Sequence, residues 1–172
     1  MEKENLTLQK FFSLAVKKHL ENNLKEAIDL YEQVLKISPK HFAANYNIAK
    51  AFYVLRENKK AINYYNKALK INSNDANVHN NLGAIFQSLG DHEKAINCYK
   101  KAIKVNPNYV NAYNNLGAIL GDRKQFVEAK KNLEKSLSID PNKEKTCENY
   151  GNILLKLNKH KEGLEYIKKG TG

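Results

Sequence analysis

Residues 80–85 read Asn80-Asn81-Leu82-Gly83-Ala84-Ile85, and residues 114–119 repeat the same six residues in the same order. The two copies lie 34 positions apart. The three prolines, at positions 39, 107 and 141, are separated by 68 and 34 positions, so one period accounts for all of them. Self-similarity at a fixed period of this length is the signature of a repeat protein, in which each repeat is one supersecondary unit.

This period divides the chain into an N-terminal extension, residues 1–7, and one array, residues 8–172. The units of the array are 8–41, 42–75, 76–109, 110–143 and 144–172, the last of them incomplete. Small residues recur at the eighth position of the unit, where two helix backbones must approach closely. Large side chains recur at the seventh position, where we expect them to fill the space between helices: Leu14, Ile48, Leu82, Leu116 and Tyr150.

Each unit predicts two helices, because its apolar residues follow the i, i+3, i+4, i+7 pattern. The first helices are expected over residues 8–21, 42–55, 76–89, 110–123 and 144–157. The second helices are expected over residues 24–37, 58–71, 92–105, 126–139 and 160–169. Asn22, Gly90 and Asn158 suit the left-handed residue that ends a helix, and Asp91 suits an N-cap. Gly163 and Gly170 are predicted to weaken the last helix, since each Gly inside a helix costs about 1 kcal/mol relative to Ala.

The repeating pattern resembles the tetratricopeptide repeat family, whose unit is a 34-residue helix–turn–helix. The third unit carries the match with Leu82-Gly83, Phe86, Ala95, Tyr99, Ala102 and Pro107. The resemblance implies an all-α fold: a right-handed superhelical solenoid of five helix–turn–helix tetratricopeptide repeats, the last one incomplete. It also implies that positions 2, 5, 6, 9, 12 and 13 of each unit face a concave groove.

Asparagines recur at the groove positions that the resemblance implies. Position 6 holds four in successive units: Asn47, Asn81, Asn115 and Asn149. Positions 2 and 5 add Asn77, Asn111, Asn80 and Asn114. A carboxamide offers donors and an acceptor, so a ladder of them can pair with the backbone of an extended peptide. Similar ladders occur in the arrays of O-linked N-acetylglucosamine transferase. The competing interpretation is a solvated polar face in a chain that contains 24 Asn.

The N-terminal end of the predicted groove is aromatic instead. Phe12, Tyr46 and Tyr53 are expected around Lys50, where they would anchor an apolar side chain of the ligand. An alternative for Phe12 is packing beneath residues 1–7. Both interpretations of Phe12 remain open from the sequence.

The chain carries a formal charge of +11, from 27 Lys, 2 Arg and 18 acidic residues. The lysines fall mainly on the second helices, which the resemblance implies to be the outer surface, and Arg, the usual residue for reading bases, is scarce. We therefore rank nucleic-acid binding last. No metal-ligand spacing, catalytic motif or phosphate-binding loop occurs, so no catalytic residue, metal or cofactor is predicted. No apolar run approaches the roughly 18 residues of a membrane span.

Two functions fit these features. The first is a non-catalytic protein–protein interaction scaffold that binds an extended segment of a partner in its groove. The alternative is the substrate-recruiting portion of a larger enzyme, such as a transferase, whose catalytic domain is absent here. The last unit ends without a covering helix, which is expected either of a piece of a longer chain or of an array that is completed by self-association. In the second case a charged residue in place of Leu154, Leu157 or Ile167 should dissociate the assembly. Two cysteines and no export signal favour a cytoplasmic location.

Overall fold

The computed structural model describes residues 2–171, with side chains described from residue 4 onward. These residues form ten α-helices and no β-strand. The predicted all-α class is therefore confirmed. Met1 and Gly172, which the predicted extension and array include, lie outside the described residues.

The helices divide into two compact units, Met1–Val78 and His79–Gly172, and the boundary falls within the fifth helix. The first unit holds α1 (Glu2–Leu20), α2 (Leu24–Ile37), α3 (Phe42–Val54), α4 (Asn58–Ile71) and the start of α5 (Ala76–Ser88). The second unit holds the rest of α5, then α6 (His92–Val105), α7 (Val110–Asp122), α8 (Phe126–Ile139), α9 (Glu144–Lys156) and α10 (His160–Thr171).

The first unit is a series of packed neighbours, with α1 against α2, α2 against α3 and α3 against α4. Its core is built from small residues and tyrosines: Ala27, Tyr31, Ala61 and Tyr65 are almost fully buried. Leu14 departs from the prediction, because it is 42% exposed whereas the four later residues at its position are buried. α1 is the first described helix, whereas α3, α7 and α9 each pack against the helix that precedes them.

The second unit packs α6 against α7, α7 against α8, α8 against α9 and α9 against α10. A single cluster of buried side chains runs through these helices, including Tyr99, Leu116, Leu133, Tyr150 and Leu154. Leu154 is completely buried, whereas Leu157 and Ile167 are partly exposed, and the expected self-association stays a prediction. Leu154 belongs to this cluster, which joins α9 to α7 and α8.

The predicted left-handed residues and the predicted N-cap at helix ends are confirmed. Asn22, Gly90 and Asn158 have positive φ angles of 60°, 77° and 61°. The Asp91 side chain accepts a hydrogen bond from the backbone N–H of Lys94 and so caps α6. The helix α1 begins at Glu2, six residues before the predicted start at residue 8.

Candidate functional site

In the second unit, the side chains of four asparagines form one hydrogen-bonded row, which we call the carboxamide row: Asn80, Asn114, Asn115 and Asn149. The row crosses three first helices of the repeats, α5, α7 and α9. The Nδ2 atom of Asn149 donates to Oδ1 of Asn114 at 2.9 Å. The Nδ2 atom of Asn115 donates to Oδ1 of Asn80 at 3.1 Å.

A longer hydrogen bond of 3.4 Å joins these two pairs on α7, from Nδ2 of Asn114 to Oδ1 of Asn115. Each link between helices therefore connects position 6 of one unit with position 5 of the unit before it. Periodicity predicted that these amides lie near one another, but the spacing alone did not predict that they bond to one another.

Burial separates the row into two kinds of residue. Asn80 and Asn114 are buried, at 7% and 8% exposure, whereas Asn115 and Asn149 are partly exposed. A carboxamide has two N–H donors and an acceptor oxygen. Because Asn115 and Asn149 each donate one internal bond from Nδ2, each keeps a second N–H, and the buried pair holds them in place.

The other predicted asparagines lie close to the row in sequence. Asn111 is exposed on α7, one helical turn before Asn115, and Asn81 is partly exposed on α5. Asn77 is exposed on the first turn of α5, in the part of that helix that belongs to the first unit.

A shallow cleft of about 190 Å³ lies beside Asn149. Ala118, Gly121 and Ile153 contribute to its wall, and Asp122 and Lys156 provide charges at its edge. A Cβ atom at Gly121 would lie 2.6 Å from Cδ1 of Ile153, so the glycine allows the Ile153 side chain to pack directly against the backbone of α7. The cleft gives the second unit a place for one side chain next to an exposed amide.

In the first unit, the predicted aromatic patch is only partly assembled. The Nζ atom of Lys50 lies 5.8 Å from the ring centroid of Tyr46, and the Tyr46 ring contacts Tyr65 edge-on at 5.8 Å. Tyr53 is partly exposed and, among the described residues, makes no ring contact with Lys50 or Tyr46.

The structure places Phe12 inside the first unit. Its ring lies 4.9 Å from the ring of His41 and 5.7 Å from that of Tyr31, measured between centroids. Burial raises the pKa of Tyr31 to about 12, and the nearby Asn47 carboxamide opposes that rise. Asn47 is therefore close to the packed Tyr31.

Sequence reasoning missed a second cleft, of about 630 Å³, between α6, α7 and α8. Its exposed lysines lie on second helices, and the sequence predicted only that such lysines cover the outer surface. No group of three or more His, Cys, Asp or Glu side chains converges as a metal-binding cluster in residues 2–171. Within the same part of the chain, no helix has the length and hydropathy to cross a bilayer.

Helical hairpins that recur every 34 residues define a helical-repeat protein. Three sequence profiles described as tetratricopeptide repeat match residues 19–85, 76–109 and 98–131, and together they span residues 19–131 without a gap. The chain belongs to the tetratricopeptide repeat family. No curated protein matches the sequence.

Solved structures of this fold align over nearly the whole chain. PilF of Pseudomonas aeruginosa is 23% identical, with a TM-score of 0.87 over 98% of this chain and 77% of that one. A MamA protein is 23% identical, with a TM-score of 0.81 over 95% and 90% of the two chains. YrrB, described as a tetratricopeptide repeat protein with an unusual peptide-binding site, is 21% identical, with a TM-score of 0.73 over 93% and 82%. At these identities the likeness shows the fold.

Proposed function

We propose that the chain is a non-catalytic protein-interaction scaffold whose second unit binds an extended peptide segment of a partner protein. Family membership supports the broad role, since tetratricopeptide repeat proteins bind protein partners. The carboxamide row is the observation that carries the narrower proposal. It presents Asn115 and Asn149 on neighbouring first helices, each oriented by a buried asparagine.

The chemistry of the row suits peptide backbone. An extended peptide offers both an N–H and a C=O that lack partners until it binds. Asn115 and Asn149 each retain an N–H donor, and Oδ1 of Asn149 accepts no hydrogen bond from the described residues. Because the internal bonds already fix both amides, binding would require little further ordering of these side chains.

The cleft beside Asn149 supports the same occupant. A peptide whose backbone pairs with Asn149 would direct a neighbouring side chain toward Gly121 and Ile153. The proposal includes the predicted similarity to the asparagine ladder of O-linked N-acetylglucosamine transferase arrays. It also includes Asn81 and Asn111 as further polar contacts for the peptide beside the carboxamide row.

The test compares two double variants. We expect Asn115→Ala with Asn149→Ala to weaken binding of a partner peptide by about 1–3 kcal/mol, since each hydrogen bond contributes about 0.5–1.5 kcal/mol net. The peptide is obtained by capturing partners from the native source and mapping the bound segment, and its affinity is measured by calorimetry. The control, Asn63→Ala with Asn97→Ala, removes two exposed carboxamides from second helices.

Equal affinity of the wild type and the Asn115/Asn149 variant would contradict the proposal. The alternative, a substrate-recruiting portion of a larger enzyme, remains a prediction. It would be supported if the captured partner is modified by a catalytic domain continuous with this chain.

A further inference from the structure

The second unit contains a cleft that is rimmed by lysines. Its volume is about 630 Å³, which lies within the range of roughly 300–1,000 Å³ that is typical of ligand sites. Its floor includes Tyr113, Leu116 and Leu120 of α7. Its rim includes Lys100 from α6 and Lys131 and Lys135 from α8. Tyr113 is half-buried and the two leucines are buried, so the floor is apolar and the rim is cationic.

This cleft and the carboxamide row lie on opposite faces of α7. Residues three, four or seven apart share one face of a helix. Tyr113, Leu116 and Leu120 form one such set, and Asn111 and Asn115 form another, rotated about half a turn from it. A ligand in the cleft and a peptide on the row would therefore occupy separate surfaces.

The rim lysines have no anionic partner within the described part of the chain. Lys100, Lys131 and Lys135 are exposed, and none of them forms an ion pair there. Neighbouring lysines behave differently, since Lys94 pairs with Asp91 and Lys130 pairs with Glu134.

The rim contains one carboxylate, that of Glu128, against three ammonium groups. Three like charges around a partly apolar surface attract an anion at close range. The arrangement is therefore complementary to a ligand that is both acidic and apolar.

We propose that the lysine-rimmed cleft binds an acidic segment of a partner protein, with an apolar side chain over Tyr113 and carboxylates on both sides. The ammonium groups stand on two different helices, Lys100 on one side and Lys131 and Lys135 on the other. A peptide has several carboxylates and can reach both sides at once. A small amphiphile with a single anionic head group reaches the ammonium groups on only one side of the cleft.

The probe is a fluorescently labelled peptide, EELLEELLEE, titrated with the intact chain and followed by anisotropy. We expect Lys100→Glu with Lys135→Glu to weaken binding about tenfold or more, because attraction becomes repulsion at both sides of the cleft. The control Lys101→Glu with Lys104→Glu makes the same change of net charge at exposed positions of α6 outside the cleft, and it should weaken binding about threefold at most. The peptide EEQQEEQQEE should bind about tenfold more weakly, since it lacks apolar side chains.

Three results would overturn the proposal. They are no binding of EELLEELLEE by the wild type, equal weakening by the two double variants, and binding of dodecanoate at the cleft without binding of the peptide. The variant Asn115→Ala with Asn149→Ala should bind EELLEELLEE as the wild type does. That result separates this proposal from the peptide-binding role of the carboxamide row.

Discussion

The backbones of Gly151 on α9 and Gly163 on α10 approach so closely that neither residue has room for a side chain. A Cβ atom on Gly151 would lie 2.6 Å from the carbonyl oxygen of Gly163, and one on Gly163 would lie 2.9 Å from that of Gly151. Gly170 is in a similar position, since its Cβ would lie 2.7 Å from the carbonyl oxygen of Glu144. These glycines allow the last hairpin to close, whatever their effect on the helix itself.

We expect Gly151→Ala to lower the free energy of unfolding by about 1–3 kcal/mol, because the added methyl group meets backbone that cannot move aside easily. Helix propensity alone predicts the opposite, a gain of about 1 kcal/mol. Urea unfolding followed by circular dichroism decides between them. The control, Asn152→Ala, changes an exposed position of the same helix. A Gly151→Ala protein as stable as the wild type would show that α10 shifts without penalty.

A substitution at Gly90 measures the cost of a left-handed backbone conformation without any steric crowding of the new side chain. Its φ is +77°, and a Cβ atom there would have no heavy atom within 4 Å. We expect Gly90→Ala to destabilise the fold by about 1 kcal/mol through the left-handed conformation alone. Lys124, with a φ of 61°, should show the reverse, so Lys124→Gly should be neutral or stabilising. Thermal unfolding of both variants checks this, and stabilisation by Gly90→Ala would contradict it.

Asn114 is one of the two inner members of the carboxamide row, since it accepts from Asn149 and donates to Asn115. We expect Asn114→Ala to cost about 1–3 kcal/mol of unfolding free energy, because it removes two hydrogen bonds and leaves a small cavity. The control, Asn111→Ala, removes an exposed amide from the same helix and should change stability by about 0.5 kcal/mol or less. Urea titrations that give the same midpoint for both variants would show that the row contributes nothing to the fold.

Asp91 gives the fold a pH dependence of known sign. Hydrogen bonds from the ammonium and the backbone N–H of Lys94 lower the pKa of Asp91 below its ordinary value of 3.8. Because the pKa is lower in the folded state, the ionised carboxylate stabilises the fold above the unfolded-state pKa. That stabilisation is lost as the pH falls through the folded-state pKa.

The variant Asp91→Asn keeps an oxygen acceptor for the helix cap but cannot ionise. We therefore expect it to be less stable than the wild type at neutral pH, with a difference that shrinks as the solution is acidified through the carboxyl range. Urea unfolding across that range measures the difference. A gap that stays constant with pH would assign the effect to cap geometry rather than to charge.

The repeat period predicted the helices almost residue by residue. The second helices of the first four units begin and end at the predicted positions, from Leu24–Ile37 to Phe126–Ile139. This accuracy has a physical cause, because each unit carries the same apolar spacing and the same turn residues, so every unit supports the interpretation of the others. The left-handed residues Arg56 and Lys124 were missed, since neither residue type signals a positive φ.

The pairing within the candidate site could not be predicted in the same way. The sequence places Asn114 and Asn115 at positions 5 and 6 of their unit, but it does not say which amide of the next unit lies within hydrogen-bonding distance. That depends on how far one first helix is offset from another, which the packing of large side chains determines. For the same reason, the sequence predicted only that Gly163 weakens α10. Its close contact with Gly151 depends on the distance between two packed helices, which the sequence does not give.

The three bonds of the carboxamide row all run in one sense, from Asn149 through Asn114 and Asn115 to Asn80. Rotating either inner amide, that of Asn114 or Asn115, by half a turn would bring two oxygens or two NH₂ groups face to face at both of its neighbours. The four side chains must therefore reverse together or not at all. The row acts as a single polar element with a defined direction.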